Sequence, residues 1–108
     1  MYDKIPRQFL ELMAGRFATL ADPTRLEIIH CLMKRGEQSV TLIVEATGHT
    51  YPNVSKHLRH LRNGKLVTRR KEGLQVFYRL DDPLIEKLCE LVCESLMDEF
   101  ELKEGGET

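Results

Sequence analysis

Apolar residues recur along most of this chain at helical spacing, and two short stretches have strand character instead. Phe9, Leu10, Met13, Phe17 and Leu20 fall near helical spacing and predict a first helix over about Ile5 to Leu20. Asp22-Pro23 restarts the chain, because Asp is a good N-cap and Pro lacks the N–H that a first helical position cannot use. A second helix runs to about Lys34 with Leu26, Ile29, Leu32 and Met33 inward, and Gly36 can end it in a left-handed turn. A short helix follows from about Thr41 to Thr47 and breaks at Gly48. Thr50 caps the next helix, Tyr51 to Asn63, with Pro52 tolerated in its first turn and Val54, Leu58 and Leu61 as its buried stripe. Gly64 ends it. Leu66–Arg70 and Leu74–Leu80 have strand character, joined through Lys71-Glu72-Gly73 with glycine supplying a positive φ. A last helix starts at Asp82-Pro83 and runs to about Lys103 on a stripe of Leu84, Ile85, Leu88, Val92, Leu96 and Phe100. The polar end, about residues 104–108, reads as a disordered tail.

Two helices joined through a glycine turn, the second one polar and basic, form a helix-turn-helix pattern. The expected fold is therefore mainly α with a small β-hairpin, a winged helix-turn-helix in the order α-α-α-α-β-β-α. Val54 and Leu58 lock the second helix of the motif against the first, leaving its other face free to enter a major groove. Arg69, Arg70 and Lys71 near the hairpin tip make a wing that can follow the phosphate backbone or reach the minor groove.

Charge sharpens the picture more than composition does. The formal net charge is −1, which by itself argues against a polyanion partner. Between Ala46 and Lys71, however, stand seven basic residues and no acidic one, whereas Asp81–Thr108 holds ten acidic residues and two basic. A polyanion would meet the middle of the chain and avoid the end. At 108 residues the chain is read as one domain, 1–108, with a modest core. No apolar run reaches the roughly 18 residues of a membrane span, and Met1 to Leu10 lacks a signal-peptide core. Three cysteines without a secreted context point to reduced thiols and a cytoplasmic protein.

The stretches Asp22-Pro23-Thr24-Arg25-Leu26, Val54-Ser55-Lys56-His57-Leu58-Arg59-His60-Leu61, Gly64-Lys65-Leu66-Val67, Arg70-Lys71-Glu72-Gly73 and Val76-Phe77-Tyr78-Arg79-Leu80 are, in that order and spacing, similar to the ArsR/SmtB family of transcriptional repressors. The resemblance covers about Phe17 to Asp82. It implies a homodimer built by the first and last helices, which binds an imperfect inverted repeat in double-stranded DNA and represses transcription. Val44, Thr47 and His49 depart from the family's usual small or apolar residues. Surplus apolar stripe on both outer helices agrees independently with a partner copy.

Side-chain chemistry selects Tyr51, Asn53, Ser55 and Lys56 for base edges or phosphates, and His57, Arg59, Arg69, Arg70 and Lys71 for phosphates. Asn53 and Ser55 also suit ordinary helix-start polarity, and His57 also suits packing. For a switch, the resemblance implies looking at known sensor positions. Thr41–Thr47 has no Cys-x-Cys, so the arsenic-type site is absent; Asp82 is kept from the zinc-type set, but Leu84, Ser95 and Asp98 stand at its later positions. Cys89 and Cys93, four apart on one helix face, can share a thiophilic metal or metalloid ion, or be oxidised, with Cys31 on the second helix. The same cysteines serve equally as small buried hydrophobes, with no cofactor. Glu86, Glu90 and Glu94 nearby disfavour a thiolate. Nothing marks an enzyme: there is no phosphate loop and no nucleophile with an evident base. A protein-binding winged helix, a constitutive repressor and an architectural DNA binder remain as alternatives.

Overall fold

The computed structural model describes residues 4–106. Its elements, in chain order, are α1 (Arg7–Leu20), α2 (Pro23–Arg35), β1 (Gln38–Ser39), α3 (Val40–Thr47), α4 (Tyr51–Asn63), β2 (Val67–Glu72), β3 (Gln75–Leu80) and α5 (Pro83–Gly106). The winged helix-turn-helix is as anticipated, with one addition. Gln38 and Ser39 pair antiparallel with Tyr78 and Phe77, so the hairpin becomes a three-stranded sheet in the order β1-β3-β2. Two residues are too few to show a period of two, which is why β1 leaves no trace in the hydrophobic pattern.

Local chemistry explains the boundaries. The side chains of Asp22, Ser39 and Thr50 each accept from the backbone N–H three residues on, capping α2, α3 and α4. Gly48 ends α3 in the left-handed region at φ 75°. The hairpin turn sits slightly later than expected. Glu72 pairs with Gln75, so Gly73 and Leu74 are the two central residues, with Gly73 alone at positive φ, 61°. That is the placement of a type II′ turn, and it moves Leu74 from the strand to the fully exposed wing tip.

The core gathers Ile28, Ile29 and Leu32 of α2, Ile43 of α3, Val54, Leu58 and Leu61 of α4, Leu66 and Val67 at the sheet, and Ile85 of α5. One expectation is corrected here. Leu26 is exposed, and Ile28 and Cys31 take the inward positions, because α2 turns its 28/29/32 face to α3 and α4. Among the described residues of α5 only Ile85 is buried, with Leu88 and Cys89 packed partly against the core; Leu84, Val92, Leu96 and Phe100 are exposed, the surplus apolar stripe expected of an outer helix. The helix starts on the core and then leaves it. α1 behaves likewise: Leu20 is buried, whereas Phe9, Leu10, Met13 and Phe17 are exposed. The molecule is accordingly flat, 50 × 46 × 21 Å. α5 also continues through Gly106, past the point where a disordered tail was expected; residues 107 and 108 lie outside the described residues.

Candidate nucleic-acid interface

The buried side of α4 is Val54, His57, Leu58 and Leu61. At 100° per residue, Lys56 and Arg59 stand opposite that stripe. Tyr51, Ser55 and Arg62 line one flank, with Asn53 and His60 on the other. Tyr51 is 55% exposed, Lys56 and Arg59 are exposed, and Asn53 and Ser55 are half-buried. Thr50 holds the Asn53 N–H through its hydroxyl, so the cap is filled by Thr50 and the Asn53 amide is free of that duty. The outer face thus carries three cations, Lys56, Arg59 and Arg62, beside the polar side chains of Tyr51, Asn53 and Ser55. That composition can pair with phosphates and with base edges.

His57 does not belong to this face. Its side chain is only 10% exposed, and its Nδ1 accepts from Arg25 Nε at 3.2 Å. Asp22 Oδ1 lies 3.9 Å from the same nitrogen. Burial lowers the His57 pKa below its ordinary value; Asp22 opposes that shift, while Arg25, Lys56 and His60 reinforce it. A neutral ring turned inward has no surface to give a phosphate, so its place among the phosphate contacts is corrected to a brace within the motif. Asp22 in turn is held below the usual carboxylate range, first by the Arg25 backbone N–H and then by its charged neighbours.

The wing is sorted by strand alternation. Arg69 and Lys71 share one face and are exposed, with no ion pair among the described residues. Arg70 points the other way, where its guanidinium donates to both carboxylate oxygens of Glu37 at 2.9–3.0 Å and to Glu72 at 2.6 Å. It also lies 4.6 Å over the Phe77 ring. Those carboxylates hold Arg70 firmly protonated, and Arg70 holds Glu37 below its ordinary range. Arg70 therefore fixes the wing to the segment before β1, and its charge is engaged by two carboxylates rather than left for a phosphate. Sequence order hid this, since Glu37 lies 33 residues away. On the opposite strand, Arg79 Nε donates to Thr68 Oγ1 at 3.1 Å.

The unusual residues of the motif turn find polar ties. Thr47 Oγ1 donates to the Ile43 carbonyl at 2.8 Å and accepts from the His49 N–H, and His49 Nε2 sits 2.6 Å from Glu27. Hydrogen bonds replace apolar packing at the turn. The cysteines are spread by environment: Cys31 is buried, Cys89 half-buried and Cys93 exposed. Burial pushes the Cys31 and Cys89 thiols up. Among the described residues no group of three His, Cys, Asp or Glu side chains is placed to hold a metal ion, and no helix is long and apolar enough to cross a membrane.

Residues 22–69 match the family described as bacterial regulatory protein, arsR family. The chain is 37% identical over 86 residues to the HTH-type transcriptional regulator KmtR of Mycobacterium tuberculosis, covering 80% of this chain and 65% of KmtR. It thus spans just under two thirds of that relative. It is 34% identical over 89 residues to the transcriptional repressor PagR of Bacillus anthracis, covering 82% of this chain and 89% of PagR. The solution structure of the homodimeric winged helix-turn-helix DNA-binding domain of Mb0332 from Mycobacterium bovis, a possible ArsR-family regulator, matches with a TM-score of 0.79 at 31% identity over 94% of each chain. Motif, wing and relatives agree, and this chain belongs to the ArsR family of winged helix-turn-helix, DNA-binding transcriptional regulators.

Proposed function

We propose that this protein is a homodimeric, sequence-specific repressor in the cytoplasm that binds an inverted repeat in double-stranded DNA. The chain serves as one DNA-binding and dimerisation domain. The observation that carries this is the division of its surface. α4 and the wing present exposed cations, while α1 and α5 expose Phe9, Phe17, Leu91, Leu96, Met97 and Phe100, each more than half exposed. A folded chain rarely leaves so many large apolar side chains open on two helices unless a partner covers them. Each such side chain contributes about 1.5–3 kcal/mol when fully buried. A second copy meeting α1 and α5 in a two-fold arrangement supplies that cover and sets two α4 helices on one face of the duplex, about one DNA turn apart. On DNA, Lys56, Arg59, Arg69 and Lys71 engage phosphates, and Tyr51, Asn53 and Ser55 lie nearest base edges.

The finer question is release. Cys89 and Cys93 supply two sulfur donors, and among the described residues no third His, Cys, Asp or Glu is placed with them to complete a metal centre. A thiol signal keeps one support, the exposure of Cys93 four residues from Cys89 on the same helix. A constitutive repressor is the other outcome, with Cys31 and Cys89 as packing groups.

The test is fluorescence anisotropy with DNA from upstream of the protein's own gene, reduced and metal-free, against random-sequence DNA at several salt concentrations. Salt-sensitive, sequence-selective binding by a dimer supports repression. Absence of binding to any duplex at moderate salt sinks it in favour of a protein-binding winged helix. Repeating the titration with As(III), Cd(II), Zn(II) and polysulfide, on wild type and on Cys89→Ser/Cys93→Ser, decides between a thiol signal and none.

A further inference from the structure

Arg25 occupies an awkward position for a cation. It is the third residue of α2, where the aligned peptide dipoles favour negative charge. Its contacts explain its presence. The backbone N–H donates to Asp22 Oδ1 at 3.0 Å, Nη1 donates to the Thr19 carbonyl at 3.3 Å, and Nε donates to His57 Nδ1 at 3.2 Å. Thr19 lies in the last turn of α1, where carbonyls lack partners within the helix. His57 lies in the middle of α4. One guanidinium therefore joins an outer helix to the motif's second helix.

A second contact joins the same two helices. Gly64, just past the end of α4, packs so closely on Thr19 that a Cβ there would stand 2.9 Å from Thr19 Cγ2. Thr19 is thus tied to α4 at two points, through Arg25 at His57 and directly at Gly64. Those points are seven residues apart, about 10 Å along the helix. Two separated contacts on one rigid rod fix its direction, where one would leave it free to pivot. The Tyr51 end lies about 20 Å from Gly64, so a 10° tilt about Gly64 moves it roughly 3 Å. That exceeds the tolerance of a hydrogen bond to a base edge.

We propose that Arg25 is a positioning residue for DNA recognition: with Thr19 and the His57 Nδ1 acceptor it forms a strut that transmits the placement of α1 to the angle of α4. The role rests on the repressor function proposed above. In a dimer assembled through α1, the strut sets the separation of the two recognition helices, and so the half-site spacing the protein accepts. His57 takes part only as a neutral ring, because protonation turns its acceptor nitrogen into a donor facing a guanidinium.

The experiment has one arm without DNA and one with it. Residual dipolar couplings of backbone N–H groups in the reduced protein report the orientation of α4 relative to α1 and α2. Anisotropy titrations compare inverted repeats with the spacer shortened or lengthened by one base pair. Arg25→Met keeps the length and removes the donors; it is expected to take the α4 couplings off the alignment tensor that fits α1 and α2, and to cut spacer discrimination at least tenfold. His57→Leu does the same, whereas His57→Asn, whose Oδ1 can accept from Arg25, keeps the wild-type couplings and spacing. If Arg25→Met does not fold, the Leu and Asn variants at position 57 decide. Wild-type couplings and spacer preference in both Arg25→Met and His57→Leu overturn the strut. If wild type binds no DNA, the repressor function fails, and the couplings still decide whether Arg25 orients α4.

Discussion

Replacing Gly64 with alanine tests the contact between α1 and α4 most directly. Gly64 has φ −80° and ψ 2°, a conformation any residue adopts, so its backbone does not demand glycine. Taken alone, the substitution would stabilise the protein by about 0.4–1 kcal/mol through a less flexible unfolded chain. The new Cβ, however, meets Thr19 Cγ2 at 2.9 Å and Oγ1 at 3.0 Å. Ordinary carbon contacts need about 3.5 Å or more. Thr19 cannot swing aside cheaply, because it is β-branched and its hydroxyl donates to the Gly15 carbonyl at 3.0 Å. Overpacking of this kind costs about 1–3 kcal/mol, so the clash wins and the net loss is about 1 kcal/mol. For a domain near 100 residues that lowers Tm by roughly 4–8 °C. In a Thr19→Ala background both close atoms disappear and only a 3.4 Å approach to Cβ remains. There Gly64→Ala should stabilise. The assay is a double-mutant cycle by urea unfolding at one fixed protein concentration, since the proposed dimerisation would make apparent stability concentration-dependent. Gly64→Ala raising stability by a similar amount in both backgrounds would refute the close approach.

Three further outcomes follow from the site. His57 has its pKa lowered in the fold, so the neutral form is the one the native state favours. Stability is then complete above the unfolded value of 6.5 and falls as pH drops through the lower native value; urea midpoints between pH 7.5 and 5 should decline more for wild type than for His57→Asn. On the wing, Arg69→Ala and Lys71→Ala should each flatten the log–log salt dependence of DNA binding by about one unit. Arg70→Ala should weaken binding while leaving that slope nearly unchanged, because Glu37 and Glu72 already occupy its charge; an equal slope change at all three positions would contradict this. Finally, Cys31 is buried with its thiol pushed up, so an aromatic disulfide reagent should modify it only at the rate of unfolding, measured by mass spectrometry of the native protein.

The helix-turn-helix was legible because its determinants are local. Asp22, Thr50 and Gly48 mark helix ends by their own side-chain or backbone chemistry, and Val54, Leu58 and Leu61 need only a 3.6-residue period. What stayed hidden depends on partners distant in sequence. Arg70 reads as one more wing cation until Glu37 is placed beside it. His57 reads as one more basic residue of α4 until α2 packs over it. The signal available for Arg25 was its charge at the wrong end of a helix. Gly64 was read correctly as a helix end, but the reason for glycine there was hidden. The positive φ belongs to Lys65, at 62°, while glycine at 64 is required by Thr19.

The long acidic helix makes physical sense beside a basic motif on a chain of net charge −1. α5 bears Glu86, Glu90, Glu94, Asp98, Glu99 and Glu101 on the element that also exposes its apolar stripe. A uniformly basic protein of this size would bind a polyanion by any face. Such complexes gain counterion release without placing a helix in the groove. On the function proposed above, the carboxylates gathered on α5 disfavour the approach of DNA from that side and leave α4 and the wing as the favourable one. In the proposed dimer the same carboxylates, on the helix that carries the apolar stripe, disfavour association in wrong registers, since like charges brought together at a packed interface are costly. On that proposal charge separation serves orientation twice, in the encounter with DNA and in the pairing of copies, and a near-zero net charge is the sum of two opposed surfaces.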